Sequence, residues 1–350
     1  MNTEIVLNAD EGALIKAAEV LKNGGLVAFP TETVYGLGGN GLSFESAQKI
    51  YKAKGRPSDN PLILHLYAAE DAENYAYTCP MYYKLAMAFM PGPLTVILPK
   101  KEIVPLCTTG GLDTVAVRVP SHPVAAALLK QCAFPIAAPS ANTSGRPSPT
   151  RIEHVIEDLS GKVEMILGGG ECRIGVESTI VSIDGEHLTM LRPGAITAEM
   201  LRPFCASVSL DPALERLLAA DEAPLAPGMK YKHYAPKANV VLLQGSEEEV
   251  LAFMKKAALE DGVGILCSDK QKACLKGDNL ISYGVDPHEE AHTLFACLRE
   301  FDHRDDVKII YAPQPRKEGI GLAVYNRLAK AAGFAVKNLK ENENGKEENS

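Results

Sequence analysis

The sequence predicts an α/β protein of two domains, a larger one with a mixed sheet and a smaller one with a parallel sheet. Three observations predict it. Through about residue 205, short apolar runs interleave with helical stretches but keep no strict strand–helix–strand rhythm, which favours a mixed sheet. From residue 238 the rhythm becomes regular: "NVVLL", "VGILCS", "NLISY" and "VKIIYA" alternate with helical segments, the pattern of parallel βαβ units. Between them lies a stretch of different character. Asp211 to Ala226 is rich in Ala, Leu and acid, and "PLAPGMKYKHYAPK" (Pro224 to Lys237) reads as an extended linker with three of its prolines and two tyrosines fixing its path.

The elements follow in order. Leu14, Ala17, Ala18 and Leu21 share one helix face, Asp10 supplies a cap, and Gly24-Gly25 ends the helix. "LVAF" (Leu26 to Phe29) reads as a buried strand, Phe44 to Lys54 as a helix, and "PLILHL" as the next strand. Further strands are expected at "LTVIL", "VAVRVP", "PIAAPS", "STIVSI" and "HLTMLR", with helices near Met81 to Met90 and Pro123 to Cys132. From Lys337 the tail "KNLKENENGKEENS" is polar and expected to be disordered. The expected divisions are therefore 1–205, a linker 206–237, 238–336, and a tail 337–350.

At 350 residues the chain can bury two cores. Its net charge of -8 supplies no global attraction for nucleic acid or an anionic membrane, so any anion site must be a local cluster of cations. The acidic residues from Glu4 to Glu11 do not suit a secretory or mitochondrial leader, and no apolar run reaches the roughly 18 residues of a membrane span. Eight cysteines occur without one C-x-x-C pair. Buried free thiols in the cytoplasm are the plain expectation.

Three motifs tempt and fail. Gly36, Gly38 and Gly41 spell G-x-G-x-x-G, yet Pro30 and "TETVY" separate them from the strand, whereas in a dinucleotide site the first glycine closes the strand-to-helix turn. "GECRIGVES" has the glycine spacing of a phosphate loop, but Val176 and Glu177 stand where lysine and a hydroxyl belong. "HEEAH" (His288 to His292) matches a zinc-protease signature, but Asp286 and Pro287 before it make a helix start, and a solvated first turn explains the acids.

What remains is a set of polar loops. Lys49, Lys52, Lys54 and Arg56 place four cations within eight residues. A solvated helix face would explain them, although Lys54 and Arg56 leave the helix for a Gly/Pro loop where side chains can converge. "APSANTSGRPSPT" (Ala138 to Thr150) carries hydroxyls, Asn142 and Arg146. Arg118 lies on an apolar strand, where a guanidinium requires an anionic partner, and Arg192 closes another. Fixed arginines and hydroxyl-rich loops, without an evident nucleophile, suit an enzyme that binds anions and works by positioning.

"GGLVAFPTETVYGLG", "KAKGRPSDNPLILHL", "PGPLTVIL", "DTVAVRVPSHP", "PIAAPSANTSGRPSPT", "GVESTIV" and "LRPGAIT", in this order, resemble the YrdC-type domain. "APGMKYKHYAP" and "GLAVYNRLAKAAG" resemble the linker and C-terminal domain of the longer threonylcarbamoyl-AMP synthases. The resemblance implies a twisted open mixed sheet with a concave basic cavity, followed by a Rossmann-like parallel α/β domain. It implies a nucleotidyltransferase that condenses L-threonine, bicarbonate and ATP into threonylcarbamoyl-AMP, pyrophosphate and water. Partner proteins then transfer the threonylcarbamoyl group to the adenosine beside the anticodon of tRNAs, with weak tRNA contact by the synthase itself.

The resemblance also carries roles onto residues. Its K-x-R and S-x-N pairs fall on Lys54/Arg56 and Ser140/Asn142, the catalytic set. Threonine contacts fall on Thr31, His65, Arg118, Ala138 and Ser178. ATP contacts fall on Arg56, Asn60, Thr114, Ser140, Ser148, Arg192 and, in the linker, Tyr234. Mg²⁺ accompanies ATP, and no protein side chain is assigned to it. The chemistry agrees: the substrate carbamate is its own nucleophile, so the protein must grip a triphosphate and clamp a carboxylate. Arg118 is the expected clamp, Thr31 the expected hydroxyl to substrate, and the glycines the expected close approach to ligand. Two other classes fit parts of the pattern. An RNA-binding module without turnover would use the basic cavity, and a carbamoyl-transfer enzyme acting on a carrier protein would need zinc-finger and acylphosphatase-like segments that are not seen in this sequence.

Overall fold

The computed structural model describes residues 2–216, Ala226 and residues 233–340. The chain forms two compact units, Met1–Tyr231 and Lys232–Ser350.

The first unit contains β1 (Glu4–Val6), α1 (Glu11–Lys22), β2 (Val27–Phe29), β3 (Gly36–Asn40), α2 (Phe44–Lys54), β4 (Ile63–His65), α3 (Pro80–Phe89), β5 (Leu94–Pro99), β6 (Thr114–Arg118), α4 (Pro123–Gln131), β7 (Ile136–Ala137), α5 (Ile152–Leu159), β8 (Met165–Leu167), β9 (Thr179–Asp184), β10 (His187–Arg192), α6 (Ala198–Leu201) and β11 (Ser207–Leu210). The strands form one eleven-stranded sheet in the order β1-β8-β2-β3-β7-β4-β6-β5-β9-β10-β11. It is mixed: β4 and β6 run parallel, whereas β5 and β6, and β9 and β10, run antiparallel. The helices start and stop as their sequences dictate. Asp10 accepts from the Ala13 N–H to cap α1, Ser43 caps α2 from Ser46, and Gly55 closes α2 in a left-handed conformation at φ 62°.

The register decides which side chains share a face, because successive residues of a strand point to opposite sides. Ala116 lies beside both Ile63 and Ile97, His65 pairs with Arg118, Thr95 pairs with Ile180, and Ile180 pairs with Arg192. His65, Thr95, Arg118 and Arg192 therefore stand on one face. Phe29 pairs with Gly36 and Val27 with Gly38 on the continuation of that face.

Gly36 and Gly38 are thus inside β3, and Gly41 follows it in the turn to α2. A Cβ on Gly38 would lie 2.8 Å from Ile136 Cγ2 and 2.9 Å from Phe29 Cε1, and one on Gly41 would lie 2.5 Å from Leu64 Cδ2. Packing of neighbouring strands explains Gly38 and Gly41, so the expected close approach of their backbone to a ligand is not what these two provide.

The second unit contains β12 (Asn239–Gln244), α7 (Glu247–Ala257), β13 (Val263–Cys267), α8 (Asp269–Lys272), β14 (Leu280–Ser282), α9 (Pro287–Phe301), β15 (Ile309–Pro313), α10 (Gly321–Ala331) and β16 (Val336–Asn338). Its five strands pair in parallel, in the order β14-β13-β15-β12-β16. α9 begins as expected: the Asp286 carboxylate accepts from the His288 and Glu289 N–H groups, which explains "HEEAH" as a capped first turn.

Three expectations change. β11 pairs in parallel with β10, so the first sheet continues past residue 205 into the segment read as linker. Ala213 and Ala226, from the same segment, are buried in an apolar cluster with Ile63, Ala116, Ile180 and Leu191 of the first unit. Lys337 and Asn338 belong to β16, paired with Leu243 and Gln244, so the ordered chain passes the expected start of the tail. The rest of the expected tail, 341–350, and most of the linker, 217–225 and 227–232, lie outside the described residues. Of the eight cysteines, Cys274 is exposed and the others are buried or half-buried. Among the described residues no helix is long and apolar enough to cross a membrane.

Gly38→Ala should destabilise the first unit by about 1–3 kcal/mol, the usual consequence of forcing an extra methyl into a packed core. Urea unfolding would measure it, and a variant as stable as the parent would show that Phe29 and Ile136 yield without strain.

Candidate active site

Three loops lace together against β3. Tyr35 N–H donates to Pro149 O, Ala141 N–H to Tyr35 O, and Leu37 N–H to Pro139 O. Ile174 and Gly175 N–H donate to Glu32 O and Thr33 O. "PTETVY", "APSANTSGRPSP" and the segment before "VEST" are therefore one backbone-bonded assembly at the edge of the face carrying His65, Arg118 and Arg192.

Lys54 joins the K-x-R and S-x-N pairs. Its ammonium, buried at the end of α2, donates to the Ser140 and Asn142 carbonyls and to Asn142 Oδ1 at 3.4 Å. An ammonium has three protons, and all three find acceptors here. Ser140 Oγ donates to Asn142 Oδ1 at 2.5 Å, and Asn142 Nδ2 donates to the Thr143 and Arg146 carbonyls. The arrangement is a clamp that shapes the Ser140–Arg146 turn. Arg146, the cation of that loop, bonds to Asp158 and Glu157 and fastens the loop to α5.

Arg56 leaves the helix as expected and turns back on its own loop, donating from Nε to Asn60 O at 3.4 Å and from NH2 to Pro61 O at 3.1 Å. Asn60 is fully buried, and both atoms of its side-chain amide lack a partner among the described residues. Buried amides without partners are uncommon, which sets Asn60 apart from the other polar residues of this loop. Thr114 opens β6 two pleats from Arg118 on the same face.

Arg118 has its anion within the chain. Its NH2 donates to Glu32 Oε1 at 2.8 Å, both residues being about 4% exposed, and Glu32 Oε2 accepts from the Ser121 N–H at 3.1 Å. That is the only hydrogen bond of the Arg118 guanidinium among the described residues, and its buried Nε has no partner. Of five N–H groups, one is used. Burial raises the Glu32 pKa, but the Arg118 charge, their hydrogen bond and the Ser121 N–H outweigh it and hold the carboxyl below its usual value. Glu32, which holds Arg118, is absent from the residues that the sequence singled out. Its signal was available, since an acid inside "AFPTETVYG" is as conspicuous as an arginine inside "VAVRV".

His65 packs edge-on against Phe29, with centroids 6.1 Å apart, and Nδ1 lies 3.2 Å from Ile63 O. Burial and then the Arg118 charge push its pKa down to about 3, so the ring is neutral near pH 7. Thr31 is committed to its own turn: its hydroxyl donates to Val34 O at 2.6 Å, lies 2.8 Å from Thr33 Oγ1, and accepts from the Thr33 and Val34 N–H groups. Its proton is used in the fold rather than held out to a substrate. Ala138 is buried beside Ile63, to whose carbonyl its N–H donates.

Ser178 lies between Thr95, at 2.7 Å from its Oγ, and Arg192, whose NH2 and Nε donate to Ser178 Oγ and O, each at 3.0 Å. Ser148 donates to Glu177 Oε1 at 2.5 Å. Tyr234 belongs to the second unit, where its ring packs 5.1 Å from Phe295 and 5.6 Å from the Arg327 guanidinium, with a left-handed φ of 66°. For Mg²⁺, no group of three His, Cys, Asp or Glu residues could hold a metal ion among the described residues, and Glu32 and Glu177 are both engaged by other side chains. The donor set does not make a resident metal site.

Buried Arg118, Arg192 and a neutral His65 on one sheet face, with Lys54 clamping the Ser140–Asn142 turn from the end of α2, define an α/β protein with a cluster of buried cations. A family described as "Telomere recombination" matches residues 19–194, and one described as "Threonylcarbamoyl-AMP synthase, C-terminal domain" matches residues 196–333. The chain is 45% identical to the threonylcarbamoyl-AMP synthase of Pyrococcus abyssi, over 91% of this chain and 94% of that protein. It is 42% identical to that of Bacillus subtilis, over 94% and 96%. The crystal structure of P. abyssi Sua5 complexed with L-threonine superposes with a TM-score of 0.89 at 42% identity, covering 97% of this chain and 99% of that one. The chain belongs to the threonylcarbamoyl-AMP synthase family.

A pH prediction follows from His65. Its folded pKa is depressed, so its stabilising contribution is full above its unfolded value near 6.5 and is lost as pH falls toward 3. Between pH 7 and 4.5 the parent should lose roughly 2–3 kcal/mol more stability than His65→Asn. Equal losses in urea titrations at the two pH values would contradict the neutral, buried ring.

Proposed function

We propose that the chain catalyses L-threonine + bicarbonate + ATP to threonylcarbamoyl-AMP + pyrophosphate + water, as a nucleotidyltransferase. The observation that carries the reading is Arg118: a buried guanidinium whose one hydrogen bond among the described residues is to Glu32, and whose buried Nε has no partner there. Threonine's carboxylate is the anion such a group would take, by charge-assisted bonds. The threonine amine and bicarbonate then form a carbamate with loss of water. A carbamate oxygen attacks the α-phosphorus of ATP, and pyrophosphate leaves.

In this scheme the chain's residues position and neutralise. Arg56, Asn60, Thr114, Ser140, Ser148 and Arg192 would hold the nucleotide along a concave basic cavity, and Lys54 keeps the Ser140–Asn142 turn in shape for it. His65 and Ala138 would border the threonine. Tyr234 is a further nucleotide contact that the family resemblance implies. Mg²⁺ would arrive with ATP, held by phosphates and water. The product is a mixed anhydride, consumed by tRNA-threonylcarbamoyl transfer proteins in the cytoplasm, with weak tRNA contact by the synthase. An RNA-binding module without turnover is the other reading. It predicts salt-sensitive tRNA affinity and no consumption of ATP.

The deciding assay incubates the chain with labelled bicarbonate, threonine and ATP. Label should enter a nucleotide product, and pyrophosphate should appear only when threonine and bicarbonate are both present. Release of ADP in place of pyrophosphate would contradict adenylyl transfer. Serine should react about 10- to 200-fold more slowly than threonine, the limit set by one missing methyl.

Arg118→Ala should raise the threonine KM about 10- to 100-fold and leave the ATP KM within about twofold, the scale of hydrogen bonds to charged groups. Arg118→Lys should rescue little, because the planar fork is lost. Equal effects on both substrates would assign Arg118 to the nucleotide or to the fold.

A further inference from the structure

Thr95 stands on β5, between β6 and β9, and is fully buried. Its hydroxyl has one hydrogen-bond partner among the described residues, the equally buried Ser178 Oγ at 2.7 Å, and either oxygen could be the donor. Ser178 Oγ has one other, Arg192 NH2 at 3.0 Å. A guanidinium can only donate, so Ser178 accepts from Arg192. The two hydroxyls therefore hold two protons, and among the described residues the only acceptor that either finds is the other oxygen. One proton is left over.

Where it sits depends on the direction of the Thr95–Ser178 bond. If Ser178 donated, the spare proton would be stranded on Thr95, inside the strand. If Thr95 donates, both lone pairs of Ser178 are filled and the spare proton is on Ser178, the residue immediately before β9 and beside the laced loops. A ligand oxygen at that point completes the chain Thr95 → Ser178 → ligand, in which each bond polarises the next.

We propose that Thr95 is a positioning residue: by donating to Ser178 it turns the Ser178 hydroxyl into a donor aimed at an acceptor oxygen of the amino-acid substrate. This rests on the reading above that Ser178 borders threonine. It extends that reading by fixing the polarity of the contact and by assigning the residue that enforces it. The substrate group facing Ser178 is an oxygen with lone pairs, not the amine.

The test uses the full chain and two variants, with L-threonine binding followed by calorimetry and KM values for threonine and ATP from pyrophosphate release. Thr95→Val keeps the shape and removes the proton, and Thr95→Ser keeps the proton. Thr95→Val should weaken threonine binding about tenfold and leave the ATP KM within about twofold, and Thr95→Ser should return threonine affinity to within about twofold of the parent. Thermal unfolding of both variants checks that the sheet is intact. Unchanged threonine affinity in Thr95→Val would overturn the proposal, as would a Thr95→Ser variant no better than Thr95→Val or an equal loss for ATP. A parent protein that binds no threonine would instead remove the reading of the site on which the relay depends, and the relay with it.

Discussion

A guanidinium on a buried strand has to be neutralised, and that constraint organises the first unit. Arg118 is on β6 because the strand runs apolar on both sides of it, and burying its charge alone would be prohibitive. Glu32 supplies the counter-charge from the loop after β2. To do so, that loop must cross to β6, and its carboxylate must be held by the Ser121 N–H. The bonds from Ile174 and Gly175 to the Glu32 and Thr33 carbonyls then draw the loop before β9 into the same assembly. The electrostatic requirement of one residue thus fixes three chain segments. It also leaves Arg118 itself neutralised before any substrate enters, with His65 kept neutral by burial and by the same arginine.

The second organising feature is the use of cations as structure. Lys54 and Arg146 read from the sequence as cations of polar loops where side chains can converge. In the fold, Lys54 bonds to the Ser140–Asn142 turn and Arg146 to Asp158 and Glu157. Preorganisation of this kind costs affinity nothing at the moment of binding, because the loops are already ordered. Among the described residues, the buried polar atoms of these segments that remain without a partner include Arg118 Nε and both amide atoms of Asn60.

Much of this was legible in the sequence, and the failures have physical reasons. α2 was readable to its ends because Ser43 caps it and Gly55 terminates it, both local effects. β12 to β15 were readable because buried parallel strands are continuous apolar runs. β3 was not, since Gly-Leu-Gly-Gly-Asn has poor strand propensity, and only the packing of Phe29, Ile136 and Leu64 against it explains the glycines. β11 and β16 are short edge strands whose pairing is set by distant partners. For the site, the residues on apolar strands announced themselves through chemical misfit, as Arg118 did. The acid Glu32 was visible in the same way, but its pairing with Arg118, and that of Thr95 with Ser178, was not, because a contact between residues 86 positions apart, or 83, is a property of the folded chain.

The central claim is that an internally balanced arginine keeps open N–H groups for a substrate carboxylate. Calorimetric titration of the full chain with L-threonine and with L-threoninamide, which replaces the charged carboxylate by a neutral amide with one acceptor oxygen and an NH2 donor, tests it most directly. The account predicts that threonine binds and that the amide binds at least about tenfold more weakly, the scale of a lost bond to a charged group. Equal binding of the two would contradict it, and would place the carboxylate away from Arg118.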